Sequence, residues 1–143
     1  MLKKKIEDDV KLAMKAKEQH RLTTIRGLLS EIKREEIDSR TETTDDRVIT
    51  IVQREIKKRR DALEFARNAA RAELIEQNEA EIAILQGYLG EQLSESELKD
   101  LIQDLVKQGN DSLGKIMGAL NKDYKGRFDG RVASELAKSS LTS

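Results

Sequence analysis

Apolar residues recur every three or four positions along most of the chain, the spacing of amphipathic helices rather than strands. Leu2, Ile6, Val10, Ala13 and Met14 predict a first helix running to about Glu18. Leu22, Ile25, Leu29 and Ile32 predict a second, ending near Ser39 or Arg40, where Thr41-Glu42-Thr43-Thr44 breaks the pattern. Thr44 suits the N-cap of a third helix, and Asp45 and Asp46 suit the positive end of its dipole. That helix carries Val48, Val52, Ile56, Leu63 and Ala66 on one stripe, interrupted by Arg59, and runs to about Ala70. A fourth begins near Ala72, presents Ile75, Ile82, Leu85 and Leu89, and ends at Gly87 and Gly90. Sustained spacing of this kind in long helices predicts an antiparallel bundle with coiled-coil-like packing.

After Gly90 the segments shorten. Ser94-Glu95-Ser96-Glu97 reads as a capping box opening a fifth helix, which buries Leu98, Leu101, Ile102 and Leu105 and stops at Gly109-Asn110. A sixth helix would bury Leu113, Ile116, Met117 and Leu120. A seventh, capped by Asp129, would bury Val132, Leu136 and Leu141. The fold class is therefore all-α. An N-terminal bundle of long antiparallel helices over residues 1–90 is followed by a small three-helix domain over 91–143.

Composition narrows the chemistry. Of 143 residues, 38% are charged and only 3% aromatic, and 27 basic residues balance 27 acidic ones. No global field favours nucleic acid, so any such role must rest on a local patch. The absence of cysteine excludes disulfides, thiolate nucleophiles and cysteine-ligated zinc. No stretch reads as a signal peptide or a membrane span, which leads to the expectation of a cytoplasmic protein with no membrane partner. Charge is uneven within the second domain. Residues 91–111 carry six acidic and two basic residues, whereas residues 112–131 carry five basic and two acidic, a net of +3.

Few residues suggest catalysis. His20 is the only histidine, has no carboxylate or histidine at a fixed spacing, and reads as a cap or turn residue. The glutamates lack the Glu-x-x-His pairs of a di-metal bundle, so no metal or cofactor is expected. Arg54, Lys57, Lys58, Arg59 and Arg60 diverge around a helix and have Glu55, Asp61 and Glu64 nearby, so they read as a solvated, salt-bridged surface. The segment from Gly114 to Arg131 differs because its cations come with glycines. Lys122, Lys125 and Arg127 surround Gly126, and Arg131 follows Gly130. A backbone without Cβ admits a phosphate, amides at the start of the last helix favour anions, and Tyr124 and Phe128 offer stacking faces. Equally, the glycines would serve caps and turns while Phe128 completes a small core. Spacing alone leaves the two readings level.

The order of several stretches resembles the YqeY family. They are Leu12-Ala13-Met14-Lys15-Ala16-Lys17, Glu35-Glu36-Ile37-Asp38, Glu79-Ala80-Glu81-Ile82 leading to Tyr88-Leu89, and Gln92-Leu93-Ser94. Gly114-Lys115-Ile116-Met117-Gly118-Ala119-Leu120 and Lys125-Gly126-Arg127-Phe128-Asp129-Gly130-Arg131 complete the set. The C-terminal part also resembles the tail domain of the GatB subunit of the tRNA-dependent amidotransferase. Two departures, Gly90 and Asn121-Lys122-Asp123 where the family commonly has proline, should loosen connections. The resemblance implies a non-catalytic module that contacts tRNA, or a tRNA-handling complex, through its second domain. A label of glutamine-dependent carbon–nitrogen ligase would be inherited from the family name rather than from these residues. The implied contacts are Lys115, Lys122, Lys125, Arg127 and Arg131, with Gly118, Gly126 and Gly130 permitting close approach. The alternative is a helical adaptor that docks a protein partner and has no RNA role.

Overall fold

The computed structural model describes residues 1–142. Its elements are α1 (Leu2–Lys15), α2 (Gln19–Ser39), α3 (Asp45–Asn68), α4 (Ala72–Gln86), α5 (Glu95–Lys107), α6 (Leu113–Tyr124) and α7 (Gly130–Thr142). No strand occurs among the described residues, so the all-α class holds. The chain divides into two compact units, the first Met1–Leu89 and the second beginning at Gly90.

In the first unit the connections are tighter than expected. Lys17, Arg40 and Ala70 all take positive φ, at 57°, 59° and 53°. A left-handed residue with a Cβ costs roughly 1–2 kcal/mol, which the packing of the flanking helices must offset. α1 and α3 therefore end two or three residues before their apolar pattern suggests, at turns without glycine or proline. Thr44 caps α3 as expected, its Oγ1 accepting from the Arg47 amide at 3.2 Å. The core gathers Ile6 from α1, Ile25, Leu28 and Ile32 from α2, Val48 and Ile51 from α3, and Leu85 from α4. Leu28, not Leu29, is the fully buried member on α2, and Met14 lies half in solvent at the edge of the expected α1 stripe.

The four helices are unequal in length. α1 starts beside the beginning of α3, where the Leu2 amide donates to Asp45 Oδ1 at 3.0 Å. It spans 14 residues against 24 in α3. At the other end, His20 in the first turn of α2 lies level with Glu81 and Arg59. Beyond that level α3 and α4 have only each other, and Leu63 and Ala66 are the buried residues between them. Nine further residues of α3 make an arm about 13 Å long, at 1.5 Å per residue.

The second unit is built on good caps and small side chains. Ser94 and Glu97 form the expected capping box, with bonds of 3.1 and 3.2 Å. Ser112 caps α6, and Asp129 caps α7 by accepting from the Arg131 and Val132 amides at 2.8 and 3.4 Å. Leu98, Ile102, Ile116, Leu120 and Phe128 form the core with Ala133 and Ala137. The two alanines, rather than Val132 and Leu136, are the fully buried face of α7. Small side chains there let α7 come close to α5 and α6, and the larger residues seal the edges.

Candidate nucleic-acid interface

Helical spacing puts positions 115, 118, 122 and 125 on one side of α6. Lys115, Gly118 and Lys122 are exposed there, and Lys125, which ends the helix, is half-buried. A Cβ added at Gly118 would meet no atom within 4 Å. Gly118 and Gly114 therefore do not serve tight packing inside the unit; they leave a low stretch of helix surface between lysines. Lys115 Nζ lies 3.1 Å from Asp111 Oδ1, an exposed i,i+4 pair that holds the Asp111 carboxyl below its usual range. Lys122 and Lys125 have no hydrogen-bond or ion-pair partner among the described residues.

Gly126 and Arg127 serve the fold. Gly126 is buried with φ +80°, a turn that a side chain would strain. Its carbonyl accepts from Gln92 Nε2 at 2.7 Å. Arg127 Nε donates to the Glu91 carbonyl at 2.8 Å, and its guanidinium lies over the Tyr124 ring at 5.4 Å. The Arg127 carbonyl accepts from the Leu93 amide at 2.7 Å. Together these bonds clamp the α6–α7 connection to the segment entering α5. Gly130 opens α7 and is exposed, and Arg131 is 89% exposed with Nε 3.7 Å from Glu135. The start of α7 does not offer the open amides expected for an external anion, because the Asp129 carboxylate already takes them. Nor do the rings stand free: Phe128 is in the core and Tyr124 is covered by Arg127. The structure thus separates three lysines on α6 from a structural turn at 126–129.

In the first unit the sequence reading missed two constellations. His20, which has no carboxylate at a fixed spacing in the sequence, has Nε2 3.1 Å from Glu81 Oε2. Arg59 Nε donates to Glu81 Oε1 at 3.0 Å, and its Nη1 reaches the Glu55 carbonyl and Oε1 at 3.1 and 3.4 Å. Glu55 is 6% exposed, and Lys58 Nζ lies 3.0 Å from its Oε2 without donating a well-aligned hydrogen bond. The chain ties α2, α3 and α4 together, and Arg59 is its hub. His20 and Glu81 are 61 residues apart, out of reach of any local motif. The usable signal was the cation interrupting the α3 stripe.

The second constellation joins α1 to the end of the bundle. The Tyr88 hydroxyl donates to Asp9 Oδ2 at 2.6 Å, and Lys5 stands 5.8 Å from the ring centre. Burial first, then the bond to Asp9, pushes the phenol's pKa well up and keeps it protonated. Among the described residues no group of three histidine or acidic side chains is placed to hold a metal ion. Among the described residues no helix is long and apolar enough to cross a membrane.

The family model described as Yqey-like protein matches residues 3–141, so the chain belongs to the YqeY-like family. A Pyrenophora tritici-repentis protein named altered inheritance of mitochondria protein 41, mitochondrial, is 34% identical over 128 residues, covering 86% of this chain and 71% of the relative. Its namesake in Lachancea thermotolerans is 36% identical over 144 aligned positions, covering 95% and 76%. The Kluyveromyces lactis protein of the same name is 42% identical over 85 residues, covering 58% and 45%. These mitochondrial names overturn the expectation of a cytoplasmic protein. That expectation rested on finding no export or membrane segment, and neither charge balance nor helical patterning encodes a compartment.

Proposed function

We propose that this YqeY-like chain is a non-catalytic module that binds the phosphate backbone of tRNA, or of RNA within a tRNA-handling complex, through the lysine face of α6. One observation carries the reading: Lys122 and Lys125, about one turn apart on the same side of α6, keep their ammonium groups free of carboxylates beside the open helix surface at Gly118. Lys115 extends the same face by way of its exposed, easily exchanged pair with Asp111. An isolated lysine row with no base-reading side chain gives Coulombic, sequence-independent attraction. The gap at Gly118 lets a sugar–phosphate strand lie close to the helix. The resemblance of the C-terminal sequence stretches to the GatB tail is the ground for taking tRNA as the RNA concerned. The names of the relatives support a mitochondrial setting.

Gly126 and Arg127 then act on RNA indirectly, by holding the end of α6 in place, and Arg131, with only an exposed i,i+4 pair to Glu135, extends the basic surface as Lys115 does. The test is retention of tRNA by the full chain in a low-salt gel shift. Lys122→Glu with Lys125→Glu should weaken retention by about tenfold or more while the helical circular-dichroism signal stays unchanged. Retention unaltered by the double change would remove the basis of the proposal.

A further inference from the structure

α1 and α2 lie side by side and antiparallel, since Lys3 Nζ meets Glu36 Oε1 at 2.7 Å near one end and Met14 Sδ meets Arg26 Nη2 at 3.5 Å near the other. Outward from that seam the two helices present matching lines of residues. Lys4, Lys11 and Lys15 fall within about 40° of one another around α1, as do Arg26, Lys33 and Ile37 around α2. All of them are exposed, Ile37 at 75%. Met14 stands half-exposed beside Arg26. Arg40 continues the α2 line, and with Lys3, Lys33 and Glu42 it borders a shallow hollow at Ile37.

The acids of this region point elsewhere, are already paired, or are outnumbered. Glu31, Glu35 and Asp38 line the opposite seam of α2, against Arg54 and Lys58 of α3. Asp9 is bonded to Tyr88 on the other flank of α1. Glu36 and Asp8 are neutralised by Lys3 and Lys4. That leaves Glu7, Glu18 and Glu42 against Lys11, Lys15, Lys17, Arg26, Lys33 and Arg40, none of which has an ion-pair partner among the described residues. A basic face of this extent attracts phosphates of any kind. Ile37 and Met14 decide between them. A sugar–phosphate strand offers an aliphatic side chain no apolar contact, whereas the surface of an anionic bilayer supplies phosphates and acyl chains together. A bilayer is also flat, so both helices reach it at once. Attachment of this kind lies along the surface and needs no spanning helix.

We propose that the first unit rests on an anionic phospholipid surface through this α1–α2 face, with Lys11, Lys15, Arg26 and Lys33 at the headgroup phosphates and Ile37 entering the acyl boundary. None of these residues lies on α6, so the attachment does not depend on RNA binding. The experiment is co-sedimentation of the full chain with vesicles in low-salt, RNA-free buffer. Vesicles of phosphatidylcholine with about 30% phosphatidylglycerol should retain the chain, vesicles of phosphatidylcholine alone should not, and added salt should release it. Arg26→Glu with Lys33→Glu should lower the partition by about tenfold or more, with the helical circular-dichroism signal and tRNA retention unchanged. Ile37→Trp gives the chain its sole tryptophan, whose emission should shift to the blue on anionic vesicles and not on tRNA. A chain left in the supernatant of anionic vesicles overturns the proposal, as does equal retention by phosphatidylcholine alone or retention untouched by the Arg26 and Lys33 changes. Tryptophan emission that responds to tRNA and not to vesicles also overturns it, and assigns the face to RNA.

Discussion

α3 and α6 each carry a row of cations on a solvent-facing helix, and they differ in what the rest of the fold brings near them. Along α3, Arg47 pairs with Glu35, Arg54 lies 4.0 Å from Glu35, Lys58 pairs with Glu55, and Arg59 is shared between Glu55 and Glu81. Along α6, Lys115 alone has an acidic neighbour, and Lys122 and Lys125 have none. Counting cations would rank α3 first as an RNA surface. Counting free cations brings the two level, with Lys57 and Arg60 on α3 against Lys122 and Lys125 on α6, and only the α6 pair shares one side of its helix beside an open glycine surface; a charge already neutralised releases few counterions when a phosphate arrives.

The comparison breaks most visibly at Arg59. Its side chain is 18% exposed and lies between two carboxylates, so Arg59→Met should leave Glu55 buried without adequate compensation. A loss of about 2 kcal/mol is expected, lowering the melting temperature of the first unit by several degrees with tRNA retention unchanged. An Arg59→Met protein that melts as wild type but loses RNA would invert the assignment of the two rows.

Arg127 supplies the matching test in the second unit. Arg127→Ala removes a hydrogen bond to the Glu91 carbonyl and the contact with the Tyr124 ring. The cost is about 1–2 kcal/mol in thermal or urea unfolding. Arg127→Lys should recover RNA retention but only part of the stability, since lysine keeps the charge and loses the planar fork. If Arg127→Lys instead kept stability and lost RNA, Arg127 would belong among the binding residues.

A smaller effect concerns the first unit's carboxylates in acid. The hydrogen bond to Arg47 lowers the pKa of Glu35, and hydrogen bonds to Lys3 and then to the Thr43 amide lower that of Glu36. A carboxyl with a depressed folded pKa contributes stability that is fully present above its unfolded value, about 4.3 for glutamate. That contribution disappears as pH falls through the lower folded value. Between about pH 5 and pH 3 the first unit should therefore lose stability. Glu35→Gln with Glu36→Gln should flatten that part of the profile, measured by urea unfolding. An unchanged acid slope would mean that these pairs are too well solvated to matter.

The legible part of the fold was the part written locally. Apolar spacing found all seven helices, and Thr44, Ser94 and Asp129 announced their own caps because a cap needs only residues within one turn. The ends of α1 at Lys15 and α3 at Asn68 were missed by two or three residues because the turns through Lys17 and Ala70 are imposed by packing on residues with no preference for them. Burial of Ala133 and Ala137 in place of Val132 and Leu136 was missed because spacing gives a face to within about one residue and not how closely another helix approaches. At the candidate site, the cluster of cations and glycines was plain. Which of them would be consumed by Glu91, Asp129 and Glu135 depended on how the chain folds back on itself. The His20–Glu81–Arg59–Glu55 network lay beyond sequence reading for the same reason.

The most direct test of the free-lysine account is the salt dependence of tRNA binding by the wild type and by the Lys122→Ala, Lys125→Ala variant. Each lysine that contacts a phosphate adds about 0.7–0.9 to the slope of log affinity against log salt. Removing both should make the slope shallower by about 1.4–1.8, whereas Arg54→Ala with Lys58→Ala on α3, both already paired with carboxylates, should leave it unchanged. A slope untouched by the α6 alanines, or lowered by the α3 pair, would contradict it.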